Sequence, residues 1–264
     1  IERLLARVDR EMSPWRDDSD LSRFNAATQE CAVSPDVALV ARAALDLAQN
    51  SGGAFDPTVG PLVARWGFGR ISGLESGRWQ GLAVGDDSLR KDQPGLTMDL
   101  CGIAKGRALD LMAEHLLTAG AADFLIDLGG ELKSVGLHPS GRDWRVAVED
   151  PRGGHDGAAA VLALPPGLAV ATSGLRAQSY DHGARRYGHI IDPKSAHPAE
   201  GRIGSVSVLS ATAMVADGWA TALLAAGDAG PKIARANSIA ALFLLNNDGA
   251  LDAITTGDFD RYVM

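Results

Sequence analysis

Cysteine is scarce in this chain: Cys31 and Cys101 are the only two among 264 residues. Two thiols do not make a cysteine metal cluster, and they do not identify a compartment. They could pair, but Cys101 sits between an apolar stretch and a helix start, where a small buried thiol is the expected outcome. A basic excess is missing too. Lys plus Arg total 25 against 33 Asp plus Glu, a formal net charge of −8, which argues against a basic surface for nucleic acid or anionic lipid. Any phosphate ligand must then be neutralised locally, by a cation, a helix N-terminus or a few placed side chains. No apolar run approaches membrane-spanning length. No signal peptide is visible, and the chain opens at Ile1 without Met, compatible with removal of an N-terminal segment. Internal repeats, low-complexity tracts and linkers are absent as well. The 31 glycines fall in short clusters that read as turns and close backbone approaches to a ligand.

What is present suits a globular protein, with 46% hydrophobic and 22% charged residues. The length allows one large domain or two small lobes around a sizeable core. Leu4, Leu5, Val8 and Met12 form a helical stripe over 1–12, followed by a polar stretch over 13–25. Ser34-Pro35 supplies an N-cap and first-turn proline for a helix to about Asn50, stopped by Ser51-Gly52-Gly53. The pattern predicts a strand over 95–100 and a helix over 103–117. Short strands follow over 124–127, 132–135, 144–148, 159–164, 168–172, 189–191 and 205–209. Helices over 212–226 and 231–237 precede a closing strand over 240–245. Strands joined mostly by tight turns, with helices between them, predict an α+β fold with antiparallel sheets and packed helices. One domain over 1–264, with room for two lobes, accounts for the whole chain.

Five constellations carry chemistry. In the first, glycines flank Phe55-Asp56 in the segment 51–61, and Trp66-Gly67-Phe68-Gly69 follows. Such glycines let the backbone approach a flat or phosphorylated ligand, although alone the segment reads better as a helix end and turn with a structural aspartate. In the second, Asp99 precedes a tight turn and a helix start bearing Lys105. Free N–H groups with a lysine suit a phosphate, and a capping Asp99 with a solvated Lys105 is the equal alternative. It is not a Walker loop, whose spacing and terminal Lys-Ser/Thr are absent. In the third, Asp127 and Glu131 bracket Gly129-Gly130; they suit a ribose or ribityl hydroxyl, and a plain hairpin is the safer reading. In the fourth, Thr172-Ser173-Gly174 is followed by His189, three residues before Asp192-Pro193. His189 could act as a base or bind phosphate; a lone histidine is more often structural, and His182 reads as solvated. In the fifth, Asp217 and Thr221 stand one helical turn apart on the same face. An acid and a hydroxyl among small apolar residues are costly to bury without a partner, and two hard oxygens are what Mg²⁺ accepts. A back-bonded hydroxyl beside a buried salt bridge is the alternative; the need to neutralise a pyrophosphate in a chain of net −8 favours the metal.

Taken together, these segments resemble the ApbE-like FAD:protein FMN transferases. The likeness runs from about Glu2 to the C-terminus, through eight blocks in the family's order. They are the stretch from Met12-Ser13-Pro14-Trp15-Arg16 to Asn25, Gly53-Ala54-Phe55-Asp56-Pro57-Thr58, Asp99 to Gly106, Gly129-Gly130-Glu131, 144–152, Thr172-Ser173-Gly174, 189–193 and 216–224. Any one could be chance; eight in order are not. The resemblance implies a T-fold-related α+β architecture with FAD in a cleft between lobes. It implies Mg²⁺ held by Asp217, Thr221 and the backbone carbonyl of Ala104, with Lys105 on the flavin loop and His189 as the family histidine. Flavin or phosphate contacts then fall to Trp15, Phe55, Asp56, Asp99, Ala104, Lys105, Gly129, Gly130 and Ser173. Three positions depart from the family pattern: Cys101 for a glycine, Trp15 for a tyrosine, and Leu175-Arg176-Ala177 for a more polar stretch. The family's first strand, whose Met-Gly-Thr-type turn helps hold the nucleotide, would lie upstream of Ile1.

The implied activity is Mg²⁺-dependent transfer of FMN from FAD to a threonine hydroxyl of an acceptor protein, with release of AMP. His189 and Asp217 are the expected catalytic residues. A redox or electron-transport protein is the expected acceptor. An Mg²⁺-dependent FAD pyrophosphatase would use the same site residues, and a non-catalytic FAD-binding protein is the rival from another class. The resemblance suggests a bacterial periplasm or cell envelope, with the cytoplasm as the alternative because no signal peptide is seen.

Overall fold

The computed structural model describes residues 1–264 except 75, 76, 154–156, 177 and 184, with Arg185 described by its backbone only. The N-terminal part comprises α1 (Glu2–Met12), α2 (Asp20–Ala26), β1 (Glu30–Ala32), α3 (Pro35–Asn50), α4 (Gly60–Arg65), β2 (Leu82–Val84) and β3 (Ser88–Lys91). Next come α5 (Ala104–Thr118), β4 (Phe124–Leu128), β5 (Glu131–Val135), β6 (Trp144–Glu149), β7 (Ala158–Leu164) and β8 (Ala169–Gly174). Two short ribbons follow, β9 (Ser179–His182) with β10 (Arg185–Gly188), and β11 (Ile191–Asp192) with β12 (His197–Pro198). The chain continues through β13 (Ile203–Ser210), α6 (Ala213–Ala225), α7 (Gly230–Ala236), β14 (Ala240–Asn247) and β15 (Ala250–Thr256).

A six-stranded sheet in the order β15-β14-β13-β8-β5-β4 organises these elements, and every neighbouring pair in it is antiparallel. Its inner strands are apolar on both faces because both are covered. Ala241, Phe243 and Leu245 of β14 join Val206 and Val208 of β13 in the core shared with α6 and α3. The alternate residues Leu242 and Leu244 face the β6–β7 ribbon through Val146, Val148, Leu162 and Leu164. This is the period-two alternation of a strand used on both sides at once. Phe24, Val37 and Leu47 belong to the same cluster as Leu223 and Phe243, so the N-terminal helices and the sheet share one core. The expected antiparallel α+β fold is the one observed. Among the described residues no helix is long and apolar enough to cross a membrane.

The structure adds β1, α4, β2, β3, β9, β10 and β12 to the expected elements and departs from expectation at four further places. The polar stretch over 13–25 contains α2, whose N-cap Ser19 accepts from the Ser22 N–H at 3.0 Å. The strand expected over 95–100 is absent; side chains satisfy that backbone instead. Asn25 donates to the Met98 carbonyl at 2.9 Å and accepts from its N–H at 2.8 Å, while the Lys91 ammonium donates to the Leu96 carbonyl at 2.8 Å. The strand expected over 189–191 is interrupted, since β10 ends at Gly188 and β11 begins at Ile191. Finally, β14 does not close the fold: Asp248 and Gly249 turn with φ of 49° and 89°, the positive-φ pair of a tight hairpin, into β15.

Candidate active site

The site grows from the contact between α5 and α6. A Cβ on Gly106 would lie 2.3 Å from the Ala213 carbonyl oxygen, so only glycine lets the helices approach this closely. Asp110, one turn along α5, accepts the Ala213 and Met214 N–H groups at 2.9 and 3.0 Å and the Lys133 ammonium at 2.7 Å. An acid thus covers the free donors at the start of α6, where negative charge is favoured. With the helices fixed, Asp217 of α6 is buried at 4% exposure and accepts the Gly106 N–H at 2.8 Å.

Glu131 meets it from the sheet. Gly129 and Gly130 form the two-residue turn between β4 and β5, with φ of 63° and 89°, and Asp127 accepts the Gly130 N–H at 2.8 Å. The turn delivers Glu131, buried at 2% exposure, into hydrogen-bonding reach of the Asp217 carboxyl. Lys105 Nζ lies 2.8 Å from Glu131 Oε1. Burial pushes the Glu131 carboxyl up to about 8, the Asp217 charge adds to that, and Lys105 opposes it. Burial also raises Asp217, against the Gly106 N–H and Lys105. Lys105 is itself raised, because attraction to Glu131 and Asp217 outweighs the burial that disfavours its charge. Two buried carboxyls facing one lysine are a net anion unless a proton or a cation joins them.

Thr221, one turn beyond Asp217, brings its hydroxyl 3.3 Å from that of Ser173 on β8. A Cβ on Gly102 would sit 3.0 Å from Thr221 Cγ2 and 3.2 Å from the Phe55 ring, so this glycine keeps the turn open beside the hydroxyl. His189 stands on the far wall. Its Nδ1 lies 3.2 Å from the Gln178 carbonyl oxygen, which can only accept, so Nδ1 carries the proton and Nε2 of the neutral ring keeps its lone pair. Burial holds the imidazole below its ordinary range against that hydrogen bond, and the Lys105 charge lowers it further. Phe68 meets the ring edge-on at 6.3 Å and stacks on Tyr180 at 5.2 Å. Tyr180 in turn stacks on Tyr187 at 5.7 Å, bracing the β9–β10 ribbon that leads to His189.

These groups surround a cavity of about 360 Å³ whose wall includes Phe55, Asp56, Asp99, Lys105, Gly129, Ser173, His189, Asp217 and Thr221. A second cavity of about 810 Å³ adjoins it across Gly129, Thr172 and Gly174, with Gly130 on its own wall. Two of the expected residues are not on these walls. Trp15 is 61% exposed and absent from both walls, its carbonyl accepting from Arg70 at 2.9 Å. Ala104 opens α5 and lines neither cavity. Asp56 lines the first cavity, yet both its oxygens are committed, Oδ1 to the Thr58 N–H and hydroxyl at 2.7 and 2.6 Å and Oδ2 to the Gly77 N–H at 2.6 Å. Asp99 accepts the Cys101 N–H at 2.9 Å, closing the turn before α5.

Other readings change as well. Cys101 is an exposed free thiol and not a buried one, and Cys31 is free too. Lys105 is exposed along its side chain, as one reading had it, but its ammonium is paired with the buried Glu131. Glu131 joins the charge cluster; the acid after the Gly-Gly pair was the available signal, but its burial was invisible in the sequence. Gln178 and Phe68 hold His189 without any local signature. Of the Leu175-Arg176-Ala177 departure, Ala177 lies outside the described residues.

The donor set suits a hard divalent cation. Asp217 and Thr221 offer oxygens, the Asp217–Glu131 pair has the single charge of Lys105 against it, and Mg²⁺ needs oxygen ligands with substrate and water completing six positions. Among the described residues no group of three or more His, Cys, Asp or Glu is placed to hold a metal ion, so such a site would lean on hydroxyl, carbonyl and substrate oxygens.

Comparison with known proteins follows the same lines. Residues 1–243 match the ApbE family. A FAD:protein FMN transferase of Vibrio cholerae is 35% identical over 284 aligned positions, spanning all of this chain and 83% of the relative. One from Haemophilus influenzae is 32% identical, spanning 99% of this chain and 82% of that one. Among solved structures, flavin transferase ApbE from Vibrio cholerae superposes with a TM-score of 0.86 at 35% identity, covering 99% of this chain and 88% of that one. The Thermotoga maritima ApbE protein gives 0.87 at 27% identity, over 100% and 90%. With blocks, fold and full-length relatives in agreement, this chain belongs to the ApbE family.

Proposed function

We propose that this chain is an FAD:protein FMN transferase that uses Mg²⁺ and a threonine hydroxyl of an acceptor protein. The observation that carries this reading is one cavity wall holding the Asp217–Thr221 helix face together with a neutral His189 whose Nδ1 is held by the Gln178 carbonyl, leaving Nε2 without a partner among the described residues. The likeness to relatives named FAD:protein FMN transferase supports it. Asp217 and Thr221 would offer side-chain oxygens to the ion, and the carbonyl of Ala104, beside the wall residue Lys105, would be the backbone ligand the resemblance implies. Bound there, Mg²⁺ would draw charge from the pyrophosphate, the electrophilic role such ions have in phosphoryl transfer.

The remaining chemistry belongs to the chain. His189 Nε2 accepts the proton of the threonine hydroxyl as its oxygen bonds to the FMN phosphorus. The bond from that phosphorus to the bridging oxygen breaks, and the electron pair leaves with AMP. Thr221, Ser173 and the glycine turns position the phosphates, and positioning supplies most of the rate where little covalent help is needed. A redox protein carrying an exposed threonine is the acceptor class that fits. The test is to incubate the chain with FAD, Mg²⁺ and such an acceptor and weigh the acceptor by mass spectrometry. An FMN adduct that disappears with EDTA is expected. FMN and AMP in solution with no adduct would make the chain a pyrophosphatase instead.

A further inference from the structure

Glu131 has one oxygen that nothing in the described structure satisfies. Its Oε1 is held by Lys105 Nζ at 2.8 Å. Its Oε2 is buried and meets no N–H or hydroxyl donor, and Glu131 lies within hydrogen-bonding reach of the Asp217 carboxyl, so a proton or a cation must join the two acids. Buried carboxylate oxygens are costly to leave without a donor or a cation. This one belongs to a residue at 2% exposure, at the first position of β5, pinned by a two-glycine turn on one side and an ion pair on the other. Its place is therefore built into the fold.

We infer that Glu131 is a further acid of the cation site, its Oε2 acting with Asp217 to hold a divalent cation before the dinucleotide arrives. The inference rests on the proposed metal at Asp217 and Thr221. The helix face alone offers one carboxylate, a weak lure for an ion that sheds its water reluctantly, and an ion held that way would wait for the pyrophosphate. Adding Glu131 changes the local charge. Once a divalent cation takes the place of the proton between them, Glu131 and Asp217 offer it two carboxylates against the single Lys105, so the ion is held with the dinucleotide absent. Lys105 then acts as a positioning residue, holding Glu131 Oε1 so that Oε2 points inward.

The experiment uses the intact chain without FAD and Mn²⁺ as the probe, since Mn²⁺ accepts the same carboxylate, carbonyl and water ligands. The free aqueous Mn²⁺ signal is followed by electron paramagnetic resonance as protein is added. Wild type is expected to bind, Glu131→Gln to bind at least about tenfold more weakly, and Asp217→Asn to lose binding. Melting of the metal-free variants checks that each folds. Glu131→Gln binding Mn²⁺ as tightly as wild type, or wild type binding none without FAD, overturns the inference. Asp217→Asn that still binds Mn²⁺ overturns the metal reading beneath it, a separate failure. Should Glu131→Gln not fold, Glu131→Asp keeps the charge but withdraws the oxygen by one methylene. It is expected to bind more weakly, and unchanged affinity overturns the inference equally.

Discussion

The Gly106 N–H donates to Asp217 Oδ2 at 2.8 Å, joining two helices whose residues stand 111 positions apart. That contact exists because Gly106 has no side chain. In an ordinary helix interior, Gly→Ala stabilises by about 1 kcal/mol. Here the new Cβ would meet backbone, 2.3 Å from the Ala213 oxygen and 2.7 Å from Met214 Cα, which cannot swing aside. The clash wins: Gly106→Ala is expected to destabilise by about 1–3 kcal/mol, measured by urea unfolding, and to weaken divalent-ion binding. A variant as stable as wild type would mean that the helices can separate at no cost.

His189→Asn separates chemistry from structure. If the ring only bonds the Gln178 carbonyl, its loss costs about 1 kcal/mol, the scale of one hydrogen bond, and leaves the rate of folded molecules alone. As a base it should cost about 10²–10⁴-fold in rate, with a melting temperature close to wild type and FAD affinity nearly intact. The catalytic outcome is expected. Because burial lowers the imidazole's proton affinity, the acid limb of kcat/KM should lie below the usual histidine range. A variant that melts early but turns over normally would end the assignment.

Stability should depend on pH through Glu131. Its carboxyl titrates near 4.5 in the unfolded chain and near 8 in the fold. Between those values the fold keeps a proton that the unfolded chain has released, so stability falls as pH rises. Melting temperatures in EDTA should drop from pH 5 to pH 8, and Glu131→Gln should flatten the drop. An unchanged slope in the variant would place the titration elsewhere.

Asp217→Ala should abolish turnover while FAD binding persists in weakened form, and EDTA should mimic it in wild type. In the presence of Mg²⁺ the wild-type protein should prefer FAD to FMN or riboflavin, because the pyrophosphate bridge is what the ion rewards. Calorimetry showing equal affinity for FMN would argue against a metal-bridged dinucleotide.

Much of this was legible in the residues because local rules decided it. Ser34-Pro35 starts α3 and the glycines after Asn50 end it, as capping chemistry dictates. The four-residue spacing of Asp217 and Thr221 set them on one face before any fold was known. What stayed hidden was settled at long range. The stretch 95–100 has the composition of a strand, yet Asn25 and Lys91, 73 and 5 positions from their partners, take over its backbone hydrogen bonds. Glu131 looks like any hairpin acid until Lys105 and Asp217 close over it. Trp15 marks the opposite limit: a motif puts it near the flavin, while the structure shows only an exposed side chain and a backbone carbonyl bonded to Arg70.

The two chemical halves of the cavity hang from supports of unequal strength. Asp217 and Thr221 ride on α6, whose buried face shares a core with Val206, Val208 and Phe243 of the inner strands. His189 ends a two-stranded ribbon that leads to a second one. Small ribbons open at low free energy, whereas core elements open only with the whole molecule. Deuterium uptake should therefore come early at the amides of 179–182 and 185–189 and late at those of 206–209 and 216–224. Beyond His189 the chain is anchored again, since Ile190 belongs to that same core and Ile191 is buried, so any early opening stops at the histidine and the acid side keeps its geometry.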